Sequence, residues 1–197
     1  IISPEIQAKT KILEVTELQS SAFINQGNGN FKIIPLPKSA QNAPVFGILP
    51  LDYNEDGNID LMITGNDCSF HYEYGCIDAL GIQLLLGDGS GQFLLEKSFL
   101  TTSDDFEGRS LTYASDPSNK IRLFFGNNNG AVQSMILPSY LQAVKCPKGT
   151  THVNIRLKNG SNRKKEIYYG EGYLSQLPNS ILTNSSVSEV RFYRGNE

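Results

Sequence analysis

The sequence contains no tryptophan and few residues of the types that most often carry catalysis, with three cysteines and two histidines among 197 residues. The histidines, His71 and His152, lie far apart in the sequence, and neither belongs to a Ser or Cys nucleophile motif. A nucleophile elbow, a zinc-ligand spacing and a phosphate-binding glycine loop are also missing. We therefore predict a protein that is not an enzyme.

Long apolar runs and long basic runs are missing as well. A membrane-spanning helix needs about 20 consecutive apolar residues, and the sequence has no such run. The formal net charge is -3, and the longest basic run is Arg163-Lys164-Lys165, which is too small a footprint for a phosphate backbone. The sequence therefore predicts no membrane span and no nucleic-acid partner.

The composition is that of a strand-and-turn protein. Eighteen glycines and nine prolines separate short apolar runs, a pattern typical of the all-β class. The predicted strands lie at 45–49, 59–64, 82–86, 93–99, 121–125, 132–137, 152–157, 166–169 and 187–193. The runs at 82–86 and 121–125 are almost continuously apolar, so both strands are expected to be covered on both faces. Helix-like spacing of apolar residues occurs only over 12–22, where a short turn of helix is expected to lead into a strand at 22–25.

A short pattern, Gly-x-Gly-x-Phe, occurs twice in the sequence. Gly27 and Phe31 belong to the first copy, and Gly89 and Phe93 to the second. A weaker third copy lies at 126–130. Each copy sits between two predicted strands, where glycine supplies the positive φ angles of a tight hairpin. The pattern indicates either a structural repeat or the ordinary hairpins of a β protein.

The most specific chemical motif is the loop DYNEDGNID at 52–60. Its positions 1, 3, 5, 6 and 9 are Asp52, Asn54, Asp56, Gly57 and Asp60. Three carboxylates this close repel one another unless a cation lies between them, and Ca2+ prefers such oxygen ligands, with the carbonyl of Asn58 as a further one. Position 12 is Ile63 instead of Glu, and a strand is predicted to follow, so the loop is not an EF-hand. A metal-free, Asx-rich hairpin is the alternative.

A second candidate site involves two of the cysteines. Cys68 and Cys76 are close enough in sequence to form a disulfide, which would indicate an oxidising compartment, or they are free thiols. Between them, Tyr72 and Tyr74 are expected either to stack on a sugar ring or partner side chain, or to cap the core. Asp78 is expected to orient this loop.

Three segments resemble the FG-GAP or VCBS repeat, the blade unit of integrin-alpha-like β-propellers: Phe46-Gly47, DYNEDGNIDLMITGN at 52–66, and GIQLLLGDGSGQF at 81–93. The resemblance covers 22–137 and implies a partial β-propeller. It also implies a Ca2+ site in one hairpin, with ligands from Asp52, Asn54, Asp56, Asp60 and the carbonyl of Asn58. The Gly-Ala-Pro element that follows Phe-Gly in the family is missing here, and the copies at 25–31 and 126–130 have no metal loop.

The segments at 155–163, 168–176 (YYGEGYLSQ) and 187–192 resemble the ASPIC/UnbV domain. This resemblance implies a small β domain of an exported protein, extracellular, periplasmic or on the outer surface, with no established catalysis. Residues 138–151 are predicted to connect two bodies. The propeller blades would then occupy 1–148 and the small β domain 149–197.

Together these features predict a calcium-binding, non-catalytic β-propeller module of an exported protein. It would act in adhesion or in recognition of a protein or glycan at a cell surface. A propeller needs about four to eight blades of four strands, so the chain would be a piece of a longer propeller and would contact its remaining blades. The alternative is an accessory region of a longer polysaccharide-degrading enzyme whose catalytic residues lie outside this chain.

Overall fold

The computed structural model describes residues 3–11, 13–69, 73, 75–99, 106–167, 169–173 and 176–195. These residues confirm the predicted all-β class. The short helix α1 (Pro4–Lys9) precedes the strands. The strands are β1 (Ser21–Gly27), β2 (Asn30–Pro35), β3 (Val45–Leu51), β4 (Asp60–Gly65), β5 (Ile82–Gly87), β6 (Phe93–Leu95), β7 (Gly108–Ser115), β8 (Ile121–Asn127), β9 (Gln133–Ile136), β10 (Gln142–Lys145), β11 (His152–Leu157), β12 (Asn162–Glu166), β13 (Ser180–Thr183) and β14 (Val187–Tyr193). Within the described ranges, no helix is long and apolar enough to cross a membrane.

The described strands form five small antiparallel sheets, and none of them is closed. The largest is a four-stranded meander in the order β3-β4-β5-β6, and β7-β8-β9 is a three-stranded meander. The β1-β2 hairpin stands by itself. The last part of the chain forms the two-stranded sheet β10-β13 and the three-stranded sheet β12-β11-β14.

The four-stranded sheet is buried on both faces. On one face, Met62 and Leu84 pack with residues of β7 and β8 in the main core. On the other, Ile63 and Leu85 pack in a second cluster with Ala40 and other residues around the 3-10 turn Lys38–Gln41. The prediction of a fully covered strand is therefore confirmed for β5.

Strand β8 does not follow that prediction. Its residues alternate between buried and half-buried, with Leu123 and Phe125 in the core and Arg122 and Phe124 on the other face. One face of β8 is thus only partly covered. The apolar run did not predict this, because Phe124 is apolar but half-buried.

Three other sequence predictions are wrong. The strand predicted at 166–169 lies earlier, at Asn162–Glu166, because the turn at 158–161 fixes its pairing with β11. The strand predicted at 93–99 ends at Leu95 and is followed by a 3-10 turn at Lys97–Phe99. No helix occupies 13–19, and α1 lies before it. Residue 12 lies outside the described residues.

Residues 138–151, predicted as a connection, contain a strand. β10 pairs with β13 in the register Val144↔Ile181. Cys146 is buried with Val153 and Ile181 in the core of the C-terminal segment. The Tyr113 hydroxyl on β7 donates to the Ser180 carbonyl at 2.8 Å. The predicted connection is therefore part of a C-terminal sheet, and the Tyr113 hydroxyl links that sheet to β7.

The burial of the central sheet on both faces can be tested by measuring the stability of two leucine variants. Leu84→Ala should lower the free energy of unfolding by about 2 to 5 kcal/mol, because Leu84 is fully buried between two sheets. Leu94→Ala makes the same change on the neighbouring strand at a site that is 76% exposed, and should cost less than about 0.5 kcal/mol. Urea unfolding followed by circular dichroism measures both, and equal losses would contradict the assigned core.

Candidate metal centre

The loop at 52–60 connects two paired strands of the central sheet. Asp52 directly follows β3, and Asp60 is the first residue of β4, opposite Leu51. Asp52 is 7% exposed and Asp60 is fully buried. The loop therefore carries two carboxylates into the protein interior at the point where the hairpin turns.

Backbone N–H groups inside the loop bind the predicted ligand side chains. The Gly57 N–H donates to Asp52 Oδ2 at 3.1 Å, and the Asn58 N–H donates to Asp56 Oδ1 at 2.7 Å. The Asp56 N–H donates to Asn54 Oδ1 at 3.2 Å. Gly57 has a φ of 85°, a conformation that a residue with a Cβ rarely adopts. The side chains at positions 1, 3 and 5 thus curl over the loop backbone, as the spacing predicts.

Asp60 is held by two backbone donors from opposite sides. Its Oδ2 accepts the Tyr53 N–H at 2.7 Å, and its Oδ1 accepts the Gly87 N–H at 2.9 Å. A Cβ on Gly87 would lie 2.1 Å from the Ile59 carbonyl oxygen, so only glycine brings its N–H this close. Burial raises the pKa of Asp60, and the charge of Asp56 acts in the same direction, while these two hydrogen bonds oppose the rise.

The C-terminal segment covers the loop with polar contacts. The Ser186 hydroxyl donates to Asp52 Oδ2 at 2.8 Å, and Asn184 Nδ2 donates to the Asp52 carbonyl at 2.8 Å. The Ser185 N–H donates to Glu55 Oε1 at 3.1 Å. Sequence analysis missed these residues, because Ser186 lies 134 positions after Asp52 and no local motif marks it.

A cation of the protein also lies near the loop. Arg163 Nη2 is 4.0 Å from Asp52 Oδ2. Burial lowers the pKa of the Arg163 guanidinium, and the charges of Asp52, Asp60 and Asp56 oppose that change. Its Nε and Nη1 are buried without a hydrogen-bond partner among the described residues. The only sequence signal for this residue was the basic tripeptide at 163–165.

The donor set of the loop suits a hard cation, although the ligands are not gathered in one shell. All the predicted ligand atoms are oxygens, which Ca2+ prefers. Asp52 Oδ1 is buried and has no partner among the described residues, so one carboxylate oxygen is left to bind an ion. Asn54 Nδ2 donates to Asp56 Oδ2 at 3.0 Å, which pairs these two side chains with each other. In the described ranges, no three His, Cys, Asp or Glu side chains are grouped closely enough to hold a metal.

The second candidate site is only partly within the described residues. Cys68 and Cys76 form a disulfide, which is consistent with an oxidising compartment. Asp78 lines a cleft of about 600 Å³ beside this disulfide, together with Glu107. Tyr72 and Tyr74 lie outside the described residues, as does His71.

An ion network that the sequence did not indicate supports the disulfide loop. Arg109 Nη2 donates to Asp67 Oδ1 at 2.8 Å and also binds Glu107 Oε1. The same Glu107 oxygen accepts the Cys68 N–H at 2.9 Å. The hydroxyl of Ser69 and the guanidinium of Arg109 hold the pKa of Asp67 at about 2. These contacts fix one end of the disulfide loop to β7.

Comparisons of the chain with protein-family models, with curated proteins and with solved structures found no match.

The hydrogen bond that Ser186 donates to Asp52 can be tested by comparing substitutions at two serines. Ser186→Ala should lower the free energy of unfolding by about 1 to 2 kcal/mol, because the part-buried Asp52 carboxylate loses a donor. Ser161→Ala removes a similar hydroxyl, which donates to Asn159 Oδ1 at 2.7 Å in an exposed turn, and should cost less than about 0.5 kcal/mol. Chemical denaturation compares the two. A Ser186 variant as stable as the Ser161 variant would argue against the contact.

Proposed function

We propose that this chain is a calcium-binding, non-catalytic β module of an exported protein, which acts in adhesion or in surface recognition of a protein or glycan. The observation that carries the proposal is the buried Asp52 Oδ1, which has no hydrogen-bond partner among the described residues, in a loop with three further carboxylates, those of Glu55, Asp56 and Asp60. Desolvated carboxylates of like charge destabilise a fold unless a counter-charge is supplied. Arg163 supplies part of that charge at 4.0 Å.

The residues that would hold the ion belong to a single loop. They are the side chains of Asp52, Asn54, Asp56 and Asp60 and the carbonyl of Asn58. When bound, Ca2+ supplies two positive charges and six to eight coordination positions for oxygen. The role of the site is structural in this proposal, because Asp52 directly follows β3 of the central sheet and also contacts Ser186 of the C-terminal segment. Ca2+ would thereby fasten the two parts of the chain together.

We also propose that the sheets are blades of a longer propeller. The meander β3-β4-β5-β6 has the four antiparallel strands of one blade. The β1-β2 hairpin has two strands and exposes Phe23 and Phe31, which are 59% and 56% exposed and lie on one face with Ile33. An incomplete blade with an apolar face needs further strands to cover it. The remaining blades of the same protein are the proposed partners of this face.

The cellular location in this proposal is extracellular, periplasmic or on the outer cell surface. The disulfide between Cys68 and Cys76 supports an oxidising compartment. Free Ca2+ is also abundant enough outside the cytosol to occupy sites of about 10⁻⁴ to 10⁻³ M affinity. The disulfide and the availability of Ca2+ therefore both favour a location outside the cytosol.

Calcium should raise the melting temperature of the protein, and EDTA should reverse the rise. At a free concentration of 100 times the dissociation constant, the ion would stabilise the fold by about 2.7 kcal/mol. Asp56→Asn should abolish this response, because it removes a ligand charge from the loop. Differential scanning calorimetry in Ca2+, in Mg2+ and in EDTA measures the effect.

Asp116→Asn is the matched control for this experiment. Asp116 lies in the turn between β7 and β8, where its Oδ1 accepts the N–H groups of Ser118 and Lys120. The substitution removes the same charge from a similar turn, and should leave the Ca2+ response intact. A melting curve of the unmodified protein that is identical in Ca2+ and in EDTA would refute the proposed site.

A further inference from the structure

The sheet β12-β11-β14 has one face that is entirely polar. Its strand registers place nine side chains on this face in three cross-strand rows. The rows are Glu166–His152–Tyr193, Lys164–Asn154–Arg191 and Asn162–Arg156–Glu189. The opposite face carries Val153, Ile155 and Phe192, which belong to the core. Alternation along the strands therefore separates a core face from a fully polar outer face.

The outer face is open and forms a shallow depression. The depression has a volume of about 570 Å³, and every residue that lines it belongs to β11, β12 or β14. No other described element covers it. The volume lies in the range of about 300 to 1,000 Å³ that is usual for ligand sites. The side chains of Lys164 and Arg191 are 55% and 62% exposed.

The cations of this face surround its centre, and the carboxylates lie at two corners. Lys164 and Arg191 flank Asn154 in the middle row, and Arg156 follows Asn154 along β11. Lys164 pairs with Glu166 at 2.6 Å, and Arg191 pairs with Glu189 at 2.8 Å. The Arg156 guanidinium donates no hydrogen bond to the described residues, although its charge helps to lower the pKa of Glu189 after the larger effect of Arg191. Three cations thus stand around Asn154, one of them without a hydrogen-bonded anion.

The charge of the whole chain is divided unevenly. Residues 149–197 contain seven Lys or Arg and four Asp or Glu, a formal charge of +3. Residues 1–148 contain ten Lys or Arg and 16 Asp or Glu, a formal charge of -6. The polar face itself carries three cations (Arg156, Lys164 and Arg191) and two carboxylates (Glu166 and Glu189), a formal charge of +1 on an acidic protein. Its charge complements an anionic ligand.

The side chains on the face favour a hydrated ligand over a protein partner. Protein interfaces bury a core that is depleted of charge and enriched in exposed aromatic and apolar side chains. The outer face has no aliphatic residue, and its aromatic rings, His152 and Tyr193, stack on each other at 4.7 Å between centroids. Amides and cations on a flat sheet are suited to the hydroxyl and acidic groups of a sugar polymer.

We propose that the outer face of β12-β11-β14 binds an anionic polysaccharide. Arg156, Lys164 and Arg191 hold its carboxylate or sulfate groups, and Asn154 bonds its hydroxyl groups. No residue of the loop at 52–60 lines this depression, although Arg163, which approaches Asp52, borders it. Binding is therefore expected in EDTA at a temperature where the protein stays folded, whatever the outcome of the calcium experiment.

The test measures binding of the full 197-residue chain to one neutral and two anionic polysaccharides. Dextran sulfate and dextran differ only in sulfate groups, and polygalacturonate carries carboxylates instead. Affinity electrophoresis and isothermal titration calorimetry at low ionic strength should show binding to dextran sulfate, to polygalacturonate or to both, and no binding to dextran. The sulfated and carboxylated arms identify which acidic group is recognised. Binding should weaken as salt is added, because exposed charges are screened.

Arg156→Gln and Arg191→Gln should each weaken binding by about fivefold. Arg122→Gln is the matched control, because Arg122 lies on β8 in another sheet and binds only the Ser134 hydroxyl among described side chains. Circular dichroism and thermal melts establish that the variants are folded. Arg156 and Arg191 variants that bind as tightly as the Arg122 variant would overturn the proposal. Equal binding to dextran would also overturn the proposal. So would sedimentation runs in which the chain self-associates and the substitutions on this face prevent it.

Discussion

The arrangement of this protein depends on one buried carboxylate, that of Asp52, at the junction of two parts of the chain. A charge that is 7% exposed destabilises a fold unless donors or cations compensate it. Here the Gly57 N–H and the Ser186 hydroxyl donate to Oδ2, and the Arg163 guanidinium lies 4.0 Å away. Because Gly57 and Ser186 come from distant parts of the sequence, their bonds to this oxygen hold the C-terminal segment against the loop, together with those of Asn184 and Ser185.

The predictions from sequence succeeded where the signal is local. Strand β5 was found because Ile82–Gly87 is an apolar run bounded by glycines. The polar side chains that curl over the loop at 52–60 could be identified because they are close in sequence. Strand β12 was misplaced because its residues are polar or charged and carry no apolar pattern. Ser186 and Arg163 were not predicted as part of the site, because only the tertiary fold brings them to Asp52. Metal binding, the propeller and export remain predictions.

The pleat of β12 gives its three basic residues different roles. Arg163 pairs with Ile155 and faces the core side, where it approaches the acidic loop. Lys164 pairs with Asn154 on the outer face, among the cations proposed to bind an anionic polymer. Lys165 lies on the inner side again, and its Nζ is 3.7 Å from Glu171 Oε1. A run that looked like one basic patch in the sequence therefore supplies charge to both faces of a sheet.

The pairing of β10 with β13 also affects how the chain folds as it is made. Residues 142–145 leave the ribosome before residues 180–183, so β10 emerges before its partner strand β13. Asp52 emerges 134 residues before Ser186, which donates to its carboxylate. Until then, an unpaired strand edge and an uncompensated carboxylate are exposed together, which leaves the nascent chain open to wrong pairing. Pairing of β10 and compensation of the Asp52 carboxylate thus require that residues 180–186 have been synthesised.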